Sequence, residues 1–232
     1  MPPTDRIAIV AFGGLLPGAA DLEAFWAGVL AGRTALRPVP DGRWGVDPES
    51  VRASSVGEAD RVATTVGGYL DEVPLDPALD ATLDPLYHLT VGAARRAVAG
   101  GAIGGVDPAR VGVVLGNIAL PTVGAAAIAA ALLRGAFEER LLGQSQSAPF
   151  DPRNRWVTGL PAALAARALG LAGGAFTIDA ACASSLHAVH LAAEELAGGR
   201  ADAMLAGGVC RPDSLYTQMG FSQLRAASPS GR

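Results

Sequence analysis

The residues best suited to chemistry stand together in the stretch 176–197, FTIDAACASSLHAVHLAAEELA. An apolar run, Phe176-Thr177-Ile178, reaches an acid at Asp179. Small residues and a cysteine follow, Ala180-Ala181-Cys182-Ala183. Ser184 and Ser185 then open an Ala/Leu/Glu-rich segment that reads as a helix to about Ala197. A strand that breaks on small residues into a helix, with a cysteine at the break, is the geometry of a presented nucleophile. The thiolate is the reactive form, and a helix N-terminus favours it through unpaired N–H groups and the dipole. The dipole supplies about 0.3–1 kcal/mol, less than the roughly 1.4 kcal/mol of one pKa unit, so a polar partner or base must supply the rest. The alanines leave room for an extended substrate, and backbone N–H groups at the turn suit an oxyanion. Position alone leaves two readings of Cys182 open, because cysteine is also a common small buried hydrophobe. Cys210 follows an apolar run with no helix start and reads as structural.

His187 and His190 invite a Cys-His pairing, but they follow Cys182 by five and eight residues on one predicted helix. That is roughly 7.5 and 12 Å along the axis, too far for either to take the thiol proton. His190 shares a helical face with Leu186, Val189, Ala193 and Ala197, which predicts packing or a buried hydrogen bond. The base must come from elsewhere, and the remaining histidine, His88, reads as a structural or solvated helix residue.

The elements that must position the cysteine follow from hydrophobic pattern. Short apolar, β-branched runs near 7–12, 111–115, 176–179 and 203–209 predict buried strands. Helices are expected between them. One spans 21–31 with Asp21 as cap and Leu22, Phe25, Trp26, Val29 and Leu30 on a core face. Others span 83–99, with Asp84 capping and Pro85 in the first turn, 122–142, with an Arg134/Glu138 pair, and 156–169. The alternation predicts an α/β fold with a largely parallel sheet. Residues 34–76 read as a long surface excursion with short elements, 144–155 as polar turn, and Gly198-Gly199-Arg200 as a helix stop. The glycines at 13–18 lack the G-x-G-x-x-G spacing and include Pro17, so they read as a tight connection and not a phosphate loop.

Composition excludes several classes. Half of the residues are hydrophobic and 17% charged, enough for a buried core, and aromatics at 5% leave that core to small aliphatic side chains. The net charge of −4 comes without a Lys/Arg stripe, which argues against nucleic acid. The apolar run 123–133 ends at Arg134, short of the roughly 18 residues of a membrane span. The N-terminus lacks a signal-peptide pattern. Two cysteines make no disulfide framework and no metal set, and a cytoplasmic setting is the default. An α/β-hydrolase would need G-x-S-x-G, which is absent.

The stretch Asp179-Ala180-Ala181-Cys182-Ala183-Ser184-Ser185-Leu186, followed by Ala188-Val189-His190-Leu191-Ala192, resembles the active-site motif of the β-ketoacyl synthase family. The resemblance continues through Gly198-Gly199, 201–209 and 221–232, and upstream through 7–18, Phe25-Trp26, Arg43-Trp44, Leu83-Asp84-Pro85 and 111–116. It is nearest to ketosynthase modules of type I polyketide and polyunsaturated-fatty-acid synthases. The resemblance implies a thiolase-like fold of two α/β halves in an αβαβα layering, usually dimeric, of which residues 1–232 are the N-terminal half. It implies that Cys182 accepts an acyl chain from the phosphopantetheine of an acyl carrier protein or from CoA, with no bound cofactor. The acyl-enzyme would condense with a malonyl-type extender, losing carbon dioxide. The family's two catalytic histidines and a lysine lie after the Ser-Pro-Ser-Gly-Arg stretch at which this chain ends, and none is carried over onto His88, His187 or His190. The chain alone is therefore expected to be nearly inactive in condensation. A ketosynthase-like docking or dimerisation module is the alternative.

Overall fold

The structure is a computed structural model and describes residues 6–55, 57–143, 150–211 and 214–230. In chain order its helices and strands are α1 (Leu22–Leu30), β1 (Leu36–Pro38), β2 (Val66–Gly68), α2 (Pro85–Val98), β3 (Val111–Gly116), α3 (Val123–Ala129), α4 (Gly135–Leu142), α5 (Pro161–Leu169), β4 (Ala175–Ile178), α6 (Ser184–Ala197), β5 (Ala203–Gly208) and α7 (Leu215–Gln223). The chain divides into two compact units. One gathers Pro74–Ala119 and Val123–Cys210 with the residues up to Gly14. The other gathers Leu15–Val73 and Leu120–Thr122 with the residues from Arg211 on.

The first unit is built on a three-stranded parallel sheet in the order β4-β3-β5. Val113 pairs with Ala175 on one side and Leu205 on the other, and Gly116 with Ile178 and Gly208. β3 is central, so it is covered on both faces, and Val111, Val113 and Val114 are fully buried. Alternation along the strand sends Val113 and Leu115 toward Ala162, Ala165 and Ala166 of α5. The opposite face receives α6, whose buried residues are Ser184, Ala188 and Ala192. Small side chains on both helices let them lie close to the sheet. α2 packs against α5, and Leu83, Leu86, Tyr87 and Val157 form a second cluster there.

A polar node ties three segments of this unit. Asp84 is 1% exposed, and its carboxylate accepts the Leu86 N–H at 2.9 Å and the Gly124 N–H at 2.7 Å. Its own N–H donates to Asn154 Oδ1 at 2.8 Å, and Asn154 Nδ2 donates to the Thr82 carbonyl at 3.1 Å. One side chain thus caps α2 and holds the start of α3. His88 is buried on α2, where its Nδ1 accepts the Asp76 N–H at 3.0 Å. That is the structural role expected of it.

Two buried carboxylates contribute to the pH dependence of this unit. Hydrogen bonds from the Arg95 guanidinium hold Asp76 below the usual carboxylate range, against the opposing effect of burial. Arg153 does the same for Asp151, more strongly. A depressed folded-state pKa stabilises above the unfolded value, about 3.9 for Asp, and that contribution is lost as pH falls through the folded value. Tm is therefore expected to fall below about pH 4. Calorimetry of the Asp76→Asn, Asp151→Asn double variant should show a flattened acid limb.

In the second unit β1 and β2 pair antiparallel, Leu36 opposite Gly68 and Pro38 opposite Val66. Val39, Trp44, Val62 and Tyr69 form its core with Leu215 and Met219 of α7. The Ala63 N–H donates to Ser222 Oγ at 2.9 Å, and Gln223 Nε2 donates to the Glu58 carbonyl at 2.9 Å, which fixes α7 to the excursion.

Several expectations need correction. Residues 6–12 form no strand, and Ile7, Ile9, Val10 and Phe12 are exposed. The run has strand composition, but no described neighbour gives it a ladder. α1 forms with its Asp21 cap, the Asp21 carboxylate accepting the Ala24 N–H at 2.7 Å. It buries nothing, however, and Trp26 is 60% exposed. The helix expected over 156–169 begins only at Pro161, whose fixed φ suits the first turn. Within 122–142 a π-helical segment, Ala130–Arg134, separates α3 from α4, and the Arg134–Glu138 pair is present. Of the turn expected over 144–155, residues 144–149 lie outside the described residues, and Pro152–Trp156 form a 3-10 turn. Helix α7 was not expected, and Ser214 caps it by accepting the Thr217 N–H.

Candidate active site

β4 ends at Ile178 and the chain turns through a single 3-10 turn, Ala181–Ala183, into α6. The sheet prepares this place with glycine. A Cβ on Gly116, at the end of β3, would lie 2.5 Å from the Ser184 carbonyl carbon and 2.7 Å from its Cβ. A Cβ on Gly208, at the end of β5, would lie 2.9 Å from Ser185 Cβ. Bare backbone at two strand ends lets the first turn of α6 sit directly on the sheet. Past β3 the Asn117 N–H donates to the Ile178 carbonyl at 2.9 Å, and Asn117 Nδ2 donates to the Val157 carbonyl at 2.9 Å.

Two side chains fix the turn itself. The Asp179 carboxylate accepts the Ala181 N–H at 2.9 Å with one oxygen and the Ala119 N–H at 2.9 Å with the other. These two bonds, the Ala181 one first, hold the carboxyl below its usual range, so Asp179 is an anion at neutral pH. Buried Ser184 Oγ accepts the Ala180 N–H at 2.8 Å and donates to the Ala181 carbonyl at 2.7 Å. Ala181 stands at φ +50, in the left-handed region. Cys182 follows it, exposed, and its own N–H has no partner among the described residues. An accessible thiol beside a free N–H at a helix start can attack a carbonyl carbon and receive the resulting oxyanion.

The other candidates separate from Cys182. His187 and His190 are exposed on α6, and among the described residues no histidine hydrogen-bonds Cys182. The packing expected of His190 is not found. The face it shares with Leu186 and Val189 points outward, Leu186 being 75% exposed, because the sheet takes the face of Ser184, Ala188 and Ala192. Cys210 lies two residues past β5, open at its surface yet crowded enough that desolvation pushes its thiol up. Alkylation rate follows thiolate fraction. Limiting iodoacetamide at neutral pH is therefore expected to label Cys182 several-fold faster than Cys210, read by peptide mass mapping.

The sequence profile of the β-ketoacyl synthase N-terminal domain matches residues 4–232. The chain belongs to the β-ketoacyl synthase family. A phenolphthiocerol/phthiocerol polyketide synthase of Mycobacterium tuberculosis is 29% identical over 241 residues, covering 98% of this chain and 14% of that protein. A polyunsaturated fatty acid synthase of a Thraustochytrium species is 26% identical, covering 95% of this chain and 11% of that protein. Among solved structures, the PfaC ketosynthase–chain length factor superposes with a TM-score of 0.80 at 28% identity, over 97% of this chain and 26% of that one. The oxazolomycin ketosynthase domain OzmH KS7 of Streptomyces albus JA3453 gives a TM-score of 0.74 at 24% identity, over 98% of this chain and 38% of that one, and shows the shared fold. The chain thus spans about a seventh of the polyketide synthase it matches. Its fold is the thiolase-like α/β fold expected from sequence. No helix among its described residues is long and apolar enough to cross a membrane.

The roles of Asp179 and Ser184 in holding the turn do not follow from the sequence reading. The available signal is an Asp two residues before Ala181 and a Ser three residues after it, spacings at which these side chains bond nearby backbone.

Proposed function

We propose that this chain provides the acyl-accepting site of a β-ketoacyl synthase, with Cys182 as nucleophile. The observation that supports this most directly is the exposed Cys182 thiol on the turn into α6, beside its own N–H, which has no partner among the described residues. Cys182 Sγ, as thiolate, attacks the thioester carbonyl of an acyl group carried on the phosphopantetheine of an acyl carrier protein or on CoA. The Cys182 N–H is one donor to the tetrahedral oxyanion. The carbon–sulfur bond to the carrier then breaks, and the carrier thiol leaves with a proton. In the second step a malonyl-type extender loses carbon dioxide, its carbanion attacks the acyl carbon, and the Cys182 thiolate departs.

This chain holds no lysine, and His88 is committed to the Asp76 N–H. Loading without condensation is therefore the activity expected of it alone. The setting proposed is cytoplasmic, in a synthase that is a homodimer when complete, with an acyl carrier protein as partner, no bound cofactor, and neither nucleic acid nor membrane as ligand. The exposed apolar side chains of residues 6–12 and of the outer face of α6 also suit a non-catalytic docking or dimerisation module.

Incubation with an acyl-CoA or an acyl carrier thioester, followed by intact mass, separates the two. One acyl adduct that disappears in Cys182→Ala supports loading. An adduct that persists in Cys182→Ala refutes the assignment. A wild-type chain that is stable, dimeric, unacylated and inert to iodoacetamide at Cys182 favours the docking module.

A further inference from the structure

We infer that Asp179 is a positioning residue for Cys182, acting by holding Ala181 in the left-handed conformation from which the thiol is presented; the inference rests on reading Cys182 as the acyl acceptor. An alanine at φ +50 is held against its own preference, and it stands immediately before the nucleophile. Both of its peptide groups are gripped by side chains. Its N–H goes to Asp179, and its carbonyl receives the Ser184 hydroxyl. The second Asp179 oxygen takes the Ala119 N–H, which anchors the grip to the chain beyond β3. Without Asp179 the Ala181 N–H loses its acceptor, and the grip that remains comes from the helix side: the Ser184 hydroxyl and backbone N–H on the Ala181 carbonyl, and the Ala183 N–H on the Ala180 carbonyl.

Other roles fit Asp179 less well. Its carboxyl is held below the usual range by the N–H groups it accepts, so it is a poor base for a thiol. What remains is geometry.

The test uses the whole chain in a Cys210→Ser background, so that one thiol reports. Alkylation by iodoacetamide is followed from about pH 6 to about pH 10, across the ordinary thiol range, so that the plateau rate separates from the thiolate fraction. Asp179→Ala is expected to lower the plateau about five- to thirty-fold, the population cost of an unrestrained left-handed alanine. Asp179→Asn, which keeps one acceptor oxygen, should fall between. Glycine reaches positive φ without that cost, so Ala181→Gly added to Asp179→Ala should recover most of the loss, while Ala181→Gly alone changes little. An unchanged plateau in Asp179→Ala overturns the inference, and so does a double variant no faster than Asp179→Ala. If Asp179→Ala does not fold, Asp179→Asn and its combination with Ala181→Gly carry the same comparison. Transfer from an acyl N-acetylcysteamine thioester, run in parallel, keeps the two readings apart. No acylation of the wild type with the alkylation pattern intact overturns the acyl-acceptor reading and leaves the positioning standing. Acylation that is indifferent to Asp179 does the reverse.

Discussion

Replacing Asp84 with alanine is expected to cost about 3–5 kcal/mol of stability, the largest loss from any single side chain in the first unit. The carboxylate is 1% exposed and accepts two N–H groups, from Leu86 and from Gly124. Alanine leaves both donors buried without an acceptor, at about 1–3 kcal/mol each, and opens a small void besides. The Gly124 bond matters most, because it is the only one of the two that joins segments distant in sequence. Asp84→Asn keeps one acceptor oxygen and nearly the same volume, so it should lose roughly half as much. Urea denaturation checks this through the midpoint at constant slope. A loss under about 1 kcal/mol for Asp84→Ala would mean that water replaces the carboxylate at the start of α3.

The second large effect is expected at Gly116. A Cβ there meets the Ser184 backbone and side chain at 2.5–2.7 Å, and neither is a flexible tip that can swing away. Gly116→Ala must therefore push α6 off the end of β3, at about 1–3 kcal/mol, the usual range for overpacking. The displacement has a second readout, because Ser184 Oγ holds the Ala180 and Ala181 peptide groups. Cys182 alkylation should slow together with the drop in Tm. Gly207→Ala is the control: a Cβ there has nothing within 4 Å, and both readouts should stay near wild type.

Much of this unit was legible in the sequence, for an identifiable reason. β3, β4 and β5 are short apolar runs bounded by Gly, Pro or Asp, and each of them has a partner in the sheet. Residues 6–12 have the same composition and no described partner, so the pattern reported what a segment is able to bury and not whether a ladder exists for it. The faces of α6 failed differently. Helical period placed the large apolar residues correctly on one side, but the sheet ends in glycine and accepts only the small side, so Leu186 and Val189 point outward. α7 escaped notice because Gly220 and its scattered polar residues hide any stripe, and its packing rests on Leu215, Met219 and the Ser222 hydroxyl. At the site, Cys182 was visible by type and position. The left-handed Ala181 was not, because a glycine would have announced that conformation and an alanine does not.

The open segment at residues 6–12 also bears on how the protein behaves in the tube. It is a β-branched apolar heptamer with a single charge, no proline, and backbone groups outside any sheet of the described residues. Such a segment is a template for strand addition by other copies, and its aggregation tendency rises with concentration. Ile9, at 73% exposure, is the place for a gatekeeper charge. Ile9→Lys would leave every described core cluster untouched and put a desolvation penalty on each intermolecular pairing through this run.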